Sequence, residues 1–111
     1  MNASDKPKGN AHKAIGDIAP QLAALTDEVL FGQVWEDASL SKRDRSLVTC
    51  AALIATGKVE QLNFHLPFAV QNGVSREELI AMTTHLAFYA GWPSAMSAVA
   101  KIRELPVSTQ A

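Results

Sequence analysis

The sequence predicts an all-α fold, and three observations carry that expectation. Apolar residues recur at three- and four-residue spacing in successive segments. Those segments are bounded by capping serines and by Gly or Pro stops, and no stretch alternates apolar and polar residues as a half-buried strand would. At 111 residues, with 48% hydrophobic and 19% charged content, the chain has the size and composition of one globular domain that builds a core without metal or disulfide staples.

Residues 1–16 are small, polar and basic and show no periodic apolar face, so they are expected to form a flexible N-terminal tail, and His12 within them is given no functional weight. The single domain is expected over residues 17–105, with a short tail from 106 to 111. Its first helix is placed at about residues 17–32, where Ile18, Leu22, Leu25, Val29 and Leu30 share a face and Pro20 fits a first turn. A loop, VWEDASL, follows. Ser41 opens S-K-R-D, close to a capping box, and Leu47, Val48, Ala51, Ile54 and Ala55 carry a second helix to Gly57. A third is expected from about 59 to 71, stopped by Asn72-Gly73 and kinked at Pro67, which cannot donate a backbone hydrogen bond. Ser75 and Glu78 form a full S-x-x-E box, which predicts a fourth helix over 76–90 with Gly91 as its cap. A last helix starts at Pro93 and fades near Leu105-Pro106.

Several function classes are excluded or disfavoured on composition. A net charge of -1 provides no basic field for nucleic acid or anionic lipid. Cys50 is the lone cysteine and cannot form an intrachain disulfide, and no N-terminal run looks like a secretion signal, so a cytoplasmic location is expected. Residues 79–100 carry no Asp, Glu, Lys or Arg, a length that raises the question of a membrane span. His85, Tyr89 and the break at Gly91-Trp92-Pro93 favour two buried helices instead. In the fourth helix Leu79, Ile80, Met82, Leu86 and Phe88 cover more of the circumference than one core-facing stripe requires, and Phe64 and Phe68 repeat the symptom in the third. A homo-oligomer with an apolar interface is therefore expected.

Polar residues inside such helices are the candidates for chemistry, because a buried polar group is either paired or used. His85 and Tyr89 stand at i and i+4, as do Gln61 and His65; Arg43, Asp44 and Arg45 fall in a first turn, and Glu60 begins the third helix. Each has a structural alternative. His65, His85 and Tyr89 suit satisfied core or interface positions as well as acid/base work. Arg45 suits a substrate-facing cation or half of an ion pair with Asp44 or Glu60, and Trp92 suits a turn anchor as well as a pocket wall. Cys50, within an apolar run, reads as a small hydrophobe. The two helix histidines and scattered carboxylates have no metal-ligand spacing, so no metal is expected.

The run LSKRDRSLVTCAALIATGKVEQLNFHLPFAVQNGVSREELIAMTTHLAFYAGWPSAMSA, residues 40–98, together with VLFGQVWED before it, resembles the carboxymuconolactone decarboxylase family of the alkylhydroperoxidase D-like fold. The resemblance implies an all-helical subunit of about five helices that assembles into trimers or hexamers, with sites enclosed by helices and often near subunit boundaries. It also separates two chemistries. The peroxide-reducing branch carries C-x-x-C-x-x-x-H and an upstream glutamate. With His65 at the histidine position, the cysteine positions hold Lys58 and Gln61 and the glutamate position holds Ser46. A dithiol peroxidase mechanism is thereby disfavoured.

The other branch, as the resemblance implies, releases carbon dioxide from 4-carboxymuconolactone to give 3-oxoadipate enol-lactone in aromatic-compound catabolism, with no cofactor. On that reading His65 is the general acid/base, and His85 and Tyr89 donate to the developing dienolate. Arg45 anchors the spectator carboxylate, with Arg43 the competing candidate, and Glu60 tunes a histidine. Trp92 and Gln61 line the substrate site. Two alternatives stay open: the same fold acting on another lactone or enolisable acid, and a non-catalytic oligomeric binding protein.

Overall fold

The computed structural model describes residues 9–106, and among these every regular element is helical. The chain divides between Ser39 and Leu40 into two compact units.

The first unit holds α1 (Asn10–Ile15) and α2 (Pro20–Ala24), the latter running directly into a π-helical segment, Leu25–Val34. Helix α1 occupies part of the segment expected to be a tail; residues 1–8 of that tail lie outside the described residues, as do 107–111 of the C-terminal one. A carboxylate far along the chain caps α1. Asp27 accepts from the Ala11 and His12 amides, each at 3.1 Å, and from His12 Nδ1 at 2.6 Å. Gly9 makes room for it, since a Cβ there would stand 2.6 Å from Asp27 Cγ. The expected first helix starts three residues late, at Pro20, whose ring presets the first-turn φ. It then widens to i→i+5 bonding, ending with Trp35 N–H donating to Leu30 O at 2.9 Å and taking in Val34, the first residue of the expected loop. Phe31 and Trp35 stack at 5.7 Å.

The second unit is a bundle of α3 (Lys42–Ala55), α4 (Leu62–Gln71), α5 (Arg76–Ala90) and α6 (Trp92–Arg103). Helices α4 and α5 both pack on α3 and on α6. Ile54, Leu62, Leu66, Leu79, Ala98 and Ile102 make a core sealed from water. Local signals set the ends of these helices. Ser41 Oγ accepts from the Asp44 amide, and Ser75 and Glu78 complete a reciprocal capping box. Gly91, at φ 107, makes the turn between α5 and α6 in a region that side chains disfavour. The expected third helix differs in its beginning: Val59–Gln61 is a 3-10 turn, and the α-helical part starts at Leu62. Pro67 lies inside α4, where it removes the bond that an N–H would make to the Asn63 carbonyl. No helix among the described residues is long and apolar enough to cross a membrane.

Candidate functional site

His65 stands in the middle of α4, half-buried, on a helix fixed against α3 by Leu62 and Leu66 in the core. Its imidazole meets Phe64 edge-on at 4.9 Å and Phe68 at 6.2 Å. Burial pushes its pKa below the usual histidine value, because a partly apolar surround disfavours the charged ring. The resting imidazole is therefore neutral at pH 7 and holds one N–H donor and one acceptor nitrogen. Behind the ring, Cys50 Sγ donates to the His65 carbonyl at 3.4 Å. Burial pushes the Cys50 thiol up to about 11, so it remains a thiol at neutral pH.

His85 and Tyr89 form a second group one helix away. Their i, i+4 spacing on α5 brings the rings to 4.8 Å and 33° between planes, and both side chains are exposed. Trp92, at the start of α6, meets Phe88 edge-on at 5.5 Å. Phe88, Tyr89, Trp92 and Met96 together leave an aromatic and apolar surface open, with Phe88 74% and Tyr89 79% exposed. Isolated apolar side chains at a surface are ordinary, but four gathered at one helix junction mark a surface suited to another protein.

The sequence candidates thus separate into groups. His85 and Tyr89 are brought together, whereas His65 sits on α4 among phenylalanines. Glu60 and Gln61 lie in the 3-10 turn, exposed, so Gln61 precedes α4 and does not share a regular helical face with His65. The two first-turn arginines of α3 also part company. Arg43 pairs with Glu78 of α5 and touches Asp44 at 3.3 Å. Arg45 is half-buried on α3, and Asp44, one of its two expected partners, contacts Arg43. Glu78's carboxyl is held below the usual range first by the Ser75 amide, against the opposing effect of burial, and then by Arg43.

Sequence reasoning missed one polar contact near this region. Ser46 is sealed from water on α3, and its Oγ accepts from Asn72 Nδ2 at the end of α4, at 2.9 Å. Asn72 reads in the sequence only as a helix stop, and nothing local links it to Ser46. Among the described residues no three His, Cys, Asp or Glu side chains gather where they could hold a metal ion. The polar groups available are those of proton transfer and anion recognition: imidazoles, a phenol and a guanidinium.

Comparison with known proteins bears on what those groups do. The model of the carboxymuconolactone decarboxylase family matches residues 20–104. The chain is 37% identical over 91 residues to the 4-carboxymuconolactone decarboxylase of Acinetobacter baylyi, covering 82% of this chain and 68% of that protein. It is 33% identical over 75 residues to the nitrosuccinic acid decarboxylase of Metarhizium robertsii, covering 68% of this chain and 52% of that one.

Proposed function

The chain belongs to the carboxymuconolactone decarboxylase family and is a decarboxylase, and from that premise we propose that it releases carbon dioxide from 4-carboxymuconolactone to give 3-oxoadipate enol-lactone. The observation that carries the reading is the 37% identity to a decarboxylase of that substrate over most of this chain. The half-buried imidazole of His65 supports it chemically.

In this reaction the bond between the ring carbon and its carboxylate breaks, and the electron pair stays on the ring as a dienolate conjugated with the lactone carbonyl. A proton then returns to carbon. Arg45, half-buried in the first turn of α3, holds the carboxylate that remains. His65 delivers the proton. Its resting ring is neutral, but a bound dianionic substrate favours imidazolium, so substrate binding itself loads the acid. The rings of Phe64 and Phe68 replace water around the leaving carboxylate. His85 and Tyr89 donate to the oxygen on which charge collects, and Glu60, Gln61 and Trp92 border the substrate.

Their exposure on one subunit makes sense if the protein works as a homotrimer or homohexamer. A second subunit laid on the Phe88, Tyr89, Trp92 and Met96 surface removes it from water and encloses His85 and Tyr89. The setting is cytoplasmic aromatic catabolism, in which Cys50 stays a free thiol.

A second substrate is favoured by the other relative. Nitrosuccinic acid is also a dicarboxylic acid, and losing the carboxylate beside its nitro group leaves a nitronate, which needs the same anchor, donor and proton.

The test is turnover of freshly generated 4-carboxymuconolactone, followed by carbon dioxide release, with nitrosuccinate in parallel. Turnover of the lactone with His65→Ala slowed on the order of 100-fold supports the proposal. No release from the lactone, or His65→Ala within threefold of wild type, overturns it.

A further inference from the structure

Two polar contacts cross the α3–α4 interface, and they run in antiparallel order. Asn72 Nδ2 at the end of α4 donates to Ser46 Oγ at 2.9 Å. One turn further along α3 and two turns back along α4, Cys50 Sγ donates to the His65 carbonyl at 3.4 Å. Ser46 and Cys50, at i and i+4, share one face of α3, and both are fully sealed from water.

Ser46 and Thr83 are the buried polar residues among those described. Thr83 satisfies its hydroxyl within its own helix, at the Leu79 carbonyl. Ser46 accepts a hydrogen bond from Asn72, at the end of another helix. Such a pair adds little over two apolar side chains of the same shape, but it tolerates few alternatives: sliding α4 along α3 by one residue would set a polar atom against carbon. A lock of this kind has a purpose here, because Pro67 lies between the two contact points and deprives that stretch of α4 of a backbone bond. His65 sits at one contact point, and Arg45 directly precedes the α3 residue of the other.

We propose that Ser46 and Asn72 are positioning residues for the decarboxylation site: their hydrogen bond fixes α4 along α3 and so sets the His65 imidazole relative to Arg45. The inference rests on the roles given above to His65 and Arg45.

Ser46→Ala, Asn72→Ala and the double variant test it, in the full chain and well below the thermal midpoint of each. Each single variant lowers kcat about tenfold, in line with the sensitivity of reactions to small misplacements. The double variant falls no further than the worse single, since the two side chains act as one unit. In parallel, NMR follows both helix histidines: the His65 ring resonances and titration midpoint move, while those of His85 stay. A lowered thermal midpoint with kcat and KM within twofold of wild type and unmoved His65 resonances overturns the proposal and leaves the pair a packing feature. If the wild-type chain turns over neither acid, the reaction assignment fails separately, and the His65 resonances alone decide whether the pair positions that ring. Should Ser46→Ala not fold, Ser46→Cys, similar in shape though somewhat larger, weakens the acceptor and carries the same readouts.

Discussion

Arg43, in the first turn of α3, closes an ion pair with Glu78, in the first turn of α5, and so ties together the starts of two helices that are 35 residues apart in sequence. Glu78 serves twice, because its other oxygen accepts from the Ser75 amide at 2.9 Å in the capping box. The neighbouring arginines are therefore expected to behave differently. Arg45→Ala raises KM tenfold or more, as loss of a charge-assisted carboxylate contact should. Arg43→Ala leaves KM within about twofold and lowers the thermal midpoint only slightly, because exposed pairs contribute little. Steady-state kinetics of the two variants make the check, and equal KM effects would remove Arg45 as the anchor.

Glu78 also gives a pH signature. Its carboxyl is held low in the folded chain by the Ser75 amide and then by Arg43, so its contribution is complete above the ordinary carboxylate pKa and is lost as pH falls through the lowered value. Glu78→Gln should flatten the acid limb of stability below about pH 4.3. Thermal melts of both proteins from pH 3 to 7 read this directly.

Cys50 takes the buried place that its apolar run suggests for a small hydrophobe. In a family with a thiol-dependent branch a cysteine invites a redox role, yet this one is sealed in the core and its thiol is pushed up to about 11. Reaction with a disulfide reagent at pH 8 should be slow in the native protein and fast in denaturant. Rapid native labelling would mean that α3 and α4 separate far more easily than their packing suggests.

What the sequence made legible follows the range of the forces involved. Helix α5 was readable to the residue because Ser75, Glu78 and Gly91 act locally. The His85–Tyr89 contact followed from their spacing on one turn. Helix α1 was not readable, since it has no buried residue and depends on Asp27, reached only when the chain folds back. The π winding escaped as well, because α-helical periodicity assumes i→i+4 bonds and this segment makes i→i+5 ones. The Ser46–Asn72 contact spans 26 residues and involves two types that usually mark turns. His65 came from its place in a motif, and its half-buried seat between Phe64 and Phe68 adds the environment that a motif lacks.

The pH dependence of catalysis should carry His65's mark. Burial lowers its pKa, so on the proposed reaction the free enzyme would meet a dianionic substrate with the ring neutral and take up a proton on binding it. The kcat/KM profile is then expected to fall toward alkaline pH, where that proton becomes scarce, and the limb should vanish in His65→Gln. Stability moves the opposite way. The neutral folded ring contributes fully above the ordinary value near 6.5 and loses that contribution as pH falls toward its lowered pKa. An alkaline limb unchanged in His65→Gln would assign the proton to another group.

Asp27 provides the last and most local test. Burial pushes its carboxyl up, but the His12 side chain and the His12 and Ala11 amides outweigh that and hold it below the usual range. The cap is therefore complete above about pH 4 and is lost as pH falls through the lowered value. Removing the carboxylate with Asp27→Ala should free the start of α1 at neutral pH, seen as rapid hydrogen exchange at Ala11 and His12, while α3 to α6 keep their protection. Gly9→Ala should do the same from the other side, because the added methyl would stand 2.6 Å from Asp27 Cγ. Slow exchange at both amides in Asp27→Ala would show that α1 is held by something other than this carboxylate.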